Sequence, residues 1–411
     1  ELAPPERIVL RGKSRFFDIT DTISFSQTGA TTRIDYEAAF EFRTFIKPFT
    51  GAMQSGLQQM GKESLAGLKA ALDDRFPAPR LSGDDETVDK LVIPKLARFT
   101  RLGYKRGLKR WNPVSADLRG KHVVITGSST GLGFASAMEL ARRGADLTLV
   151  MRNEARAQEV KREILAETGN ANVDLEITDL SLLAEVDSLV SRLQATGRPI
   201  DVLINNAGAL FNEWQETSEG IERSVALLLL SPYRLTLGLK PLLVAAGRSR
   251  VINVVSGGMY SQKLSMKHLV SPKTEKFSGA TAYARAKRAL MVVTQRWATQ
   301  WRKDGITVNA MHPGWADTPG VETSLPTFHA VTRFALRSPA EGADTIVWLA
   351  AATEAAKLSG QLLLDREPQT LYLVKGTRES AQERKKLFEF LEQYTPVEAA
   401  ELPEQRRKKA S

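Results

Sequence analysis

The chain has no cysteine and only four histidines among 411 residues. Without thiols there is no disulfide framework, no cysteine nucleophile and no cysteine-ligated metal. No two histidines stand at zinc-ligand spacing, so no metal is expected. Long apolar runs are absent too: none approaches the roughly 20 residues that cross a bilayer. The leucine-rich VALLLLSPY carries Pro232 and ends at Arg234, which suits a buried helix. Negative charge is the minority sign, with 47 acidic against 57 basic side chains and a net charge of +10. No nucleic-acid-reading motif accompanies that excess, and no nucleic-acid partner is expected. The chain begins at Glu1 without a methionine, so the lack of a signal peptide says little about location. The expectation is cytoplasmic, with peripheral attachment at a membrane left open. An apolar content of 42% and a charged content of 25% suit a globular chain long enough for two or three domains.

Three textures follow one another. In residues 1–78, Phe17, Ile19, Ile23 and Phe25 precede a turn at Gln27-Thr28-Gly29. Beyond it Ile34, Tyr36, Ala38, Phe40 and Phe42 alternate with mostly polar residues. This is a two-strand antiparallel pattern with one buried face. Met53, Leu57, Met60, Leu65, Leu68 and Leu72 fall near helical spacing, predicting an amphipathic helix that ends before Pro77 and Pro79. Two strands and one helix make a small core. The pattern resembles the C-terminal half of a START-like, polyketide-cyclase-type domain, an α+β fold around an apolar cavity, and an ordinary α+β fragment is the alternative. Residues 79–118 read as a linker, acidic at SGDDETVDK and then basic. Between Lys95 and Arg110 it holds seven basic residues and no acidic one, interleaved with Phe99, Leu102, Tyr104, Leu108 and, just beyond, Trp111. An anionic membrane surface is a candidate partner for 95–111, a solvated linker the plain alternative. Residues 376–411 read as a helix and a basic tail.

From 119 to 375 apolar β-rich runs (HVVIT, DLTLVM, VDLEI, DVLIN, RVINVVS, ITVNAM) alternate with helix-length segments. Repeated strand–helix units predict an α/β fold, a doubly wound parallel sheet of Rossmann type. Directly after the first run comes TGSSTGLG, with Thr126, Gly127, Ser129, Gly131, Leu132 and Gly133, opening a helix-forming segment. Glycines at a strand-to-helix turn let the backbone approach a pyrophosphate that the helix N-terminus favours. In SGATAYARAKRAL, Tyr283 and Lys287 stand four apart, on one face of a predicted helix.

Together these motifs resemble the short-chain dehydrogenase/reductase superfamily. The resemblance covers about 190 residues and runs in order: TGxxxGxG, then Asp179-Leu180, Asn205-Asn206-Ala207-Gly208, Ser256, Tyr283 with Lys287, and Pro313-Gly314 with Thr318. SGGMYSQKL and HPGWADTPGV narrow it to the dehydrogenase/reductase member 12 type, and the long Ser256–Tyr283 spacing is similar to the retinol-dehydrogenase-like branch. The resemblance implies hydride transfer between a nicotinamide cofactor and an apolar carbonyl or alcohol. Ser256 would orient the substrate oxygen, Tyr283 would serve as acid/base, and Lys287 would lower the Tyr283 pKa. It also implies an adenine contact at Asp179 and Leu180, a cofactor wall at Asn205, Ala207 and Gly208, and a nicotinamide contact at Pro313, Gly314 and Thr318. Met259, Tyr260 and Leu264 would line the substrate pocket or pack the loop. The second strand ends LVMRN, with Arg152 and no carboxylate, which favours NADP(H) over NAD(H).

One position departs from the family pattern: Leu228 stands where the superfamily usually has an asparagine supporting a water-linked proton path. The alternative function is therefore a catalytically weakened nucleotide-binding protein whose N-terminal region binds a lipid or partner. Homo-oligomerisation is left open.

Overall fold

The computed structural model describes residues 7–13, 17–28, 31–42, 98–270, 277–317, 332, 335–374 and 376–395. The chain divides into two compact units, Glu1–Leu81 and Ser82–Ser411.

In the first unit β1 (Arg7–Lys13), β2 (Phe17–Thr28) and β3 (Thr31–Phe42) form an antiparallel sheet in that order. The register sets Phe17 opposite Phe42, Ile19 opposite Phe40, Ile23 opposite Tyr36 and Phe25 opposite Ile34. The apolar positions that alternate in the sequence thus fall opposite one another in the register. Asp35, Glu37 and Ala39, which alternate with them, are exposed. β1 is an addition, since RIVLRGK is short and charged enough to escape a period-two reading. The helix expected over 49–72 lies outside the described residues. A three-stranded sheet by itself does not select a START-like fold.

The second unit opens with α1 (Arg101–Leu108). Then β4 (His122–Thr126), α2 (Gly131–Arg142), β5 (Asp146–Met151), α3 (Glu154–Thr168), β6 (Val173–Ile177), α4 (Leu183–Ala195) and β7 (Val202–Asn205) alternate. A helix α5 follows in three pieces, Arg223–Val225, a π-helical stretch Ala226–Leu230 and Ser231–Gly238. After α6 (Lys240–Ala245) come β8 (Ser249–Val254), α7 (Met266–Leu269), the long α8 (Gly279–Gln300) and β9 (Ile306–Met311). The unit closes with α9 (Pro339–Ala351), β10 (Leu362–Leu364), β11 (Glu367–Gln369) and α10 (Ala381–Glu392).

Its eight strands run in the order β11-β10-β9-β8-β7-β4-β5-β6, parallel except for the β10–β11 hairpin. All five residues of β4 are buried, as a strand covered on both faces requires. One apolar cluster gathers α4, α5, α8 and α10 on one face, and a second gathers α2, α3 and α9 on the other. The strand order reverses between β4 and β7, and a crevice opens there at the carboxyl ends of the strands.

The stretch read as linker is, from residue 98, part of this unit. Phe99 is buried and stacks edge-on against His312, with ring centroids 4.8 Å apart. Its carbonyl accepts the Trp315 N–H at 2.7 Å. Phe99 pairs with residues more than 200 positions away, which no local reading reveals.

Candidate active site

The crevice has a volume of about 550 Å³ and begins at the β4–α2 turn. Gly127 has φ +68°, and a Cβ there would stand 2.7 Å from the Ala207 Cα. A Cβ on Gly133 would lie 2.2 Å from the Gly127 carbonyl oxygen and 2.5 Å from Asn206 Nδ2. Only glycine fits either place. Thr130 at the α2 N-cap makes no side-chain cap, and the first turn has no acidic residue. The helix therefore presents free N–H groups and the positive end of its dipole to the crevice. Ser128 Oγ is buried with no partner among the described residues. An open helix N-terminus and a side-chain-free cradle fit the pyrophosphate of a dinucleotide. Ser129, Gly131 and Leu132 line the same wall.

Two residues of the glycine motif and its partner strand act behind this wall. Thr126 Oγ1 accepts the N–H groups of Asn206 and Ala207, both at 3.0 Å. Asn205 Nδ2 donates to Thr236 Oγ1 and Asn253 Oδ1, and Asn253 donates on to Thr294. Both are buried and neither lines the crevice, so their place is in its frame. Ala207 and Gly208 do face it. Asn206, which stands out in the sequence only as part of NNAG, locks the frame by donating to the carbonyls of Thr126 and Gly127 at 2.9 and 3.0 Å. Arg156, which belongs to no motif of the sequence, donates to the Ser129 carbonyl at 3.1 Å and holds the loop from α3.

At the outer end Arg152, Asp179 and Leu180 line the crevice. Arg152 is largely exposed and lies 3.8 Å from Asp179 Oδ2. Burial pushes the Asp179 pKa up, but the Ser181 hydroxyl and N–H, with Arg152 and Arg223, outweigh it and leave a net downward shift. An exposed cation at the rim, paired with one carboxylate at long range, keeps donors free for an incoming anion.

At the inner end β8 runs out at Val254 and carries Ser256 into the crevice, facing Tyr283 and Lys287 from the first turns of α8. Ser256 stands close enough to the Tyr283 hydroxyl to lower its pKa, and its Oγ accepts the Gly258 N–H at 3.2 Å. Lys287 Nζ donates to the Val254 carbonyl at 2.7 Å and stands 5.7 Å from the Tyr283 ring centroid. Burial pushes Tyr283 up to about 12, with Ser256 acting against it. Burial likewise pushes Lys287 down to about 7. The sequence reading has Lys287 lowering the tyrosine; burial is the leading influence on both groups here.

Leu228 is fully buried in the π-helical stretch of α5. A Cβ on Gly208 would touch Leu228 Cδ2 at 3.2 Å and Lys287 Nζ at 3.6 Å, so the leucine and the lysine both border Gly208. Pro313 and Gly314 line the inner crevice, while Thr318 lies outside the described residues. Met259, Tyr260 and Leu264 are core, not pocket. All three are buried, and the Tyr260 hydroxyl donates to the Thr370 carbonyl.

A doubly wound sheet with a glycine cradle and a Ser/Tyr/Lys group at its switch point defines a class of dinucleotide-dependent enzyme, and the comparisons agree. Residues 121–327 match the short chain dehydrogenase family. The chain belongs to the short-chain dehydrogenase/reductase family of oxidoreductases. The dehydrogenase/reductase SDR family member 12 of Homo sapiens is 41% identical over 302 residues, 72% of this chain and 94% of that protein. Polyprenol dehydrogenase of Mus musculus is 34% identical over 263 residues, 62% of this chain and 78% of that protein. Retinol dehydrogenase 13 of Homo sapiens is 31% identical over 257 residues, 61% of this chain and 77% of that protein. Among solved structures, L-sorbose reductase from Gluconobacter frateurii, complexed with NADPH and L-sorbose, is 26% identical with a TM-score of 0.51, over 64% of this chain and 99% of that one.

Proposed function

We propose that the protein is an NADP(H)-dependent oxidoreductase that interconverts a carbonyl and an alcohol on an apolar substrate. The observation that carries this is the meeting of Ser256, Tyr283 and Lys287 at the inner end of a crevice whose outer end is a glycine cradle. The nicotinamide, when bound, supplies a hydride to the carbonyl carbon or accepts one from the alcohol. Arg152 supports the phosphorylated cofactor, because it reaches the crevice rim where β5 ends without a carboxylate of its own. L-sorbose reductase, with NADPH in its structure, supports the same choice. Retinol and polyprenol, named for two relatives, are apolar alcohols.

Ser256 hydrogen-bonds the substrate oxygen and fixes its position against Tyr283. The Tyr283 hydroxyl gives that oxygen its proton in reduction and takes it back in oxidation. At a pKa of about 12 the phenol stays protonated through the neutral range, the form that reduction requires. Lys287, when protonated, stabilises the tyrosinate left behind. Single-turnover oxidation of bound NADPH against a panel of apolar aldehydes and ketones tests the reading. Tyr283→Phe is expected to lower turnover by about 10²–10⁴-fold while NADPH binding persists. Turnover equal to the parent in that variant would show that another group is the acid.

A second reading, a nucleotide-binding protein with decayed chemistry, rests on Leu228 alone. Tight NADPH binding with no turnover of any panel member would select it.

A further inference from the structure

The helix α1 shows two unlike faces. At 100° per residue, Gly103, Tyr104 and Gly107 fall on one side and Arg101, Leu102, Lys105, Arg106, Leu108 and Lys109 on the other. The first set is half-buried or buried; all six of the second are exposed. A Cβ on Gly107 would stand 2.2 Å from the Trp111 ring, so the glycine side is the docked side. Leu102 is 68% exposed and Leu108 52%, more than any other large hydrophobic among the described residues. Arg101 pairs with Glu341 at 2.9 Å, and Arg110 lies 3.9 Å from Glu367. Lys105, Arg106 and Lys109 make no ion pair among the described residues, and no acidic residue occurs between Lys95 and Arg110.

We propose that this outer face docks on an anionic lipid bilayer. Unpaired cations interleaved with exposed leucines match a surface whose outer layer is negative and whose interior is apolar. Single-stranded nucleic acid fits less well, because it needs exposed aromatic platforms. The aromatics of this segment all turn inward. Phe99 is buried, and Tyr104 and Trp111 pack on each other with centroids 5.4 Å apart. The segment that the sequence offers as a mixed aromatic and basic stripe presents only leucines and cations to the outside.

The chain is anchored just before the helix. The Arg337 guanidinium donates to the carbonyls of Arg98, Phe99 and Thr100 and pairs with Asp365. The base of the helix also adjoins the substrate end of the crevice, since a Cβ on Gly257, next to Ser256, would touch the Phe99 ring at 3.2 Å. Docking would therefore bring that end close to the bilayer, where apolar carbonyls and alcohols concentrate. This consequence rests on the proposed function; the docking does not.

The test is sedimentation of the full chain with phosphatidylcholine vesicles, with and without phosphatidylserine. The parent is expected to bind only the anionic vesicles, less so as salt rises. Replacing Lys105, Arg106 and Lys109 together by Glu is expected to lower partitioning by at least about 10²-fold, at about fivefold per cation. Leu102→Ser with Leu108→Ser is expected to lower it about tenfold. Thermal melting and NADPH binding serve as controls, since none of these residues lines the crevice. Equal and negligible binding to both vesicles overturns the proposal. So does unchanged binding by either variant, or preference for a single-stranded RNA over the vesicles. Turnover of a water-soluble aldehyde, read on the same samples, separates the outcomes. Turnover without vesicle binding removes the docking alone, and vesicle binding without turnover removes the enzyme reading alone.

Discussion

Leu228 sets the sharpest question at the scale of single residues. It borders Gly208, as Lys287 does, and a leucine neither donates nor accepts a proton. Proton resupply to Tyr283 is expected to be slow, and Leu228→Asn is expected to raise turnover of an accepted substrate. The buried amide must find partners, or its desolvation lowers stability instead. Thermal melting beside the turnover assay separates the two effects. A well-folded Asn variant without a gain would mean that the proton reaches Tyr283 by another route. Arg152 carries a second residue-scale prediction. Its exposed guanidinium at the rim should make NADPH bind more tightly than NADH, and Arg152→Ala should narrow that gap. Equal affinities in the parent, measured by cofactor fluorescence titration, would remove Arg152 from cofactor choice.

At the scale of elements, the strap before α1 and the β10–β11 hairpin depend on one buried ion pair. Arg337 and Asp365 are both nearly fully buried and joined by two hydrogen bonds at 2.5 and 2.9 Å. Asp365 and its neighbour Arg366 have φ of 56° and 59°, the only non-glycine residues with positive φ among those described. A tight turn of this kind ordinarily takes Asn-Gly or Asp-Gly, and here the two side chains are held by Arg337 and Asp344. Arg337→Met would strand the Asp365 carboxylate and release three carbonyls of the strap. A loss of about 3–5 kcal/mol is expected from removing one partner of a buried pair. Urea unfolding measures it, and a loss under about 1 kcal/mol would show that the strap is held by Phe99 packing instead. None of this is readable locally. Arg98, Phe99, Arg337 and Asp365 are scattered over nearly 270 positions of sequence, and the composition of 79–118 is that of a linker.

For the molecule as a whole, two buried titrating groups shape stability against pH. Burial, with Arg337 and Arg98 adding repulsion, pushes His312 down to about 3. In the unfolded chain it returns to about 6.5, so between these values the unfolded state binds more protons. Stability therefore falls as pH drops through that window, by up to about 1.4 kcal/mol per pH unit for this group. Lys287 has the same sign higher up. Held at about 7 against 10.5, it binds its proton more weakly in the native state, and stability rises with pH from about 7 toward 10. Urea unfolding across both windows, without cofactor, is expected to show flatter slopes for His312→Gln in acid and for Lys287→Met above neutrality. Slopes identical to the parent would place the titration elsewhere.

The sequence by itself determined the doubly wound sheet and the glycine-rich turn, and it set Tyr283 and Lys287 one helical turn apart, while Ser256 joined them only through the family resemblance. The sheet, the turn and the pair are written in short-range signals: apolar runs at strand length, glycines at one turn, and two side chains one helical turn apart. Which of the motif residues face the crevice was a matter for tertiary structure. Thr126 and Asn205 sit in the same strings as Gly127 and Gly208, yet strand pairing turns their side chains into the frame. Packing also buries Tyr283 and Lys287, which raises the one pKa and lowers the other. It chose packing over pocket for Tyr260 and moved Phe99 from linker to core. Those outcomes depend on which distant surfaces meet, and distance along the chain carries no record of that.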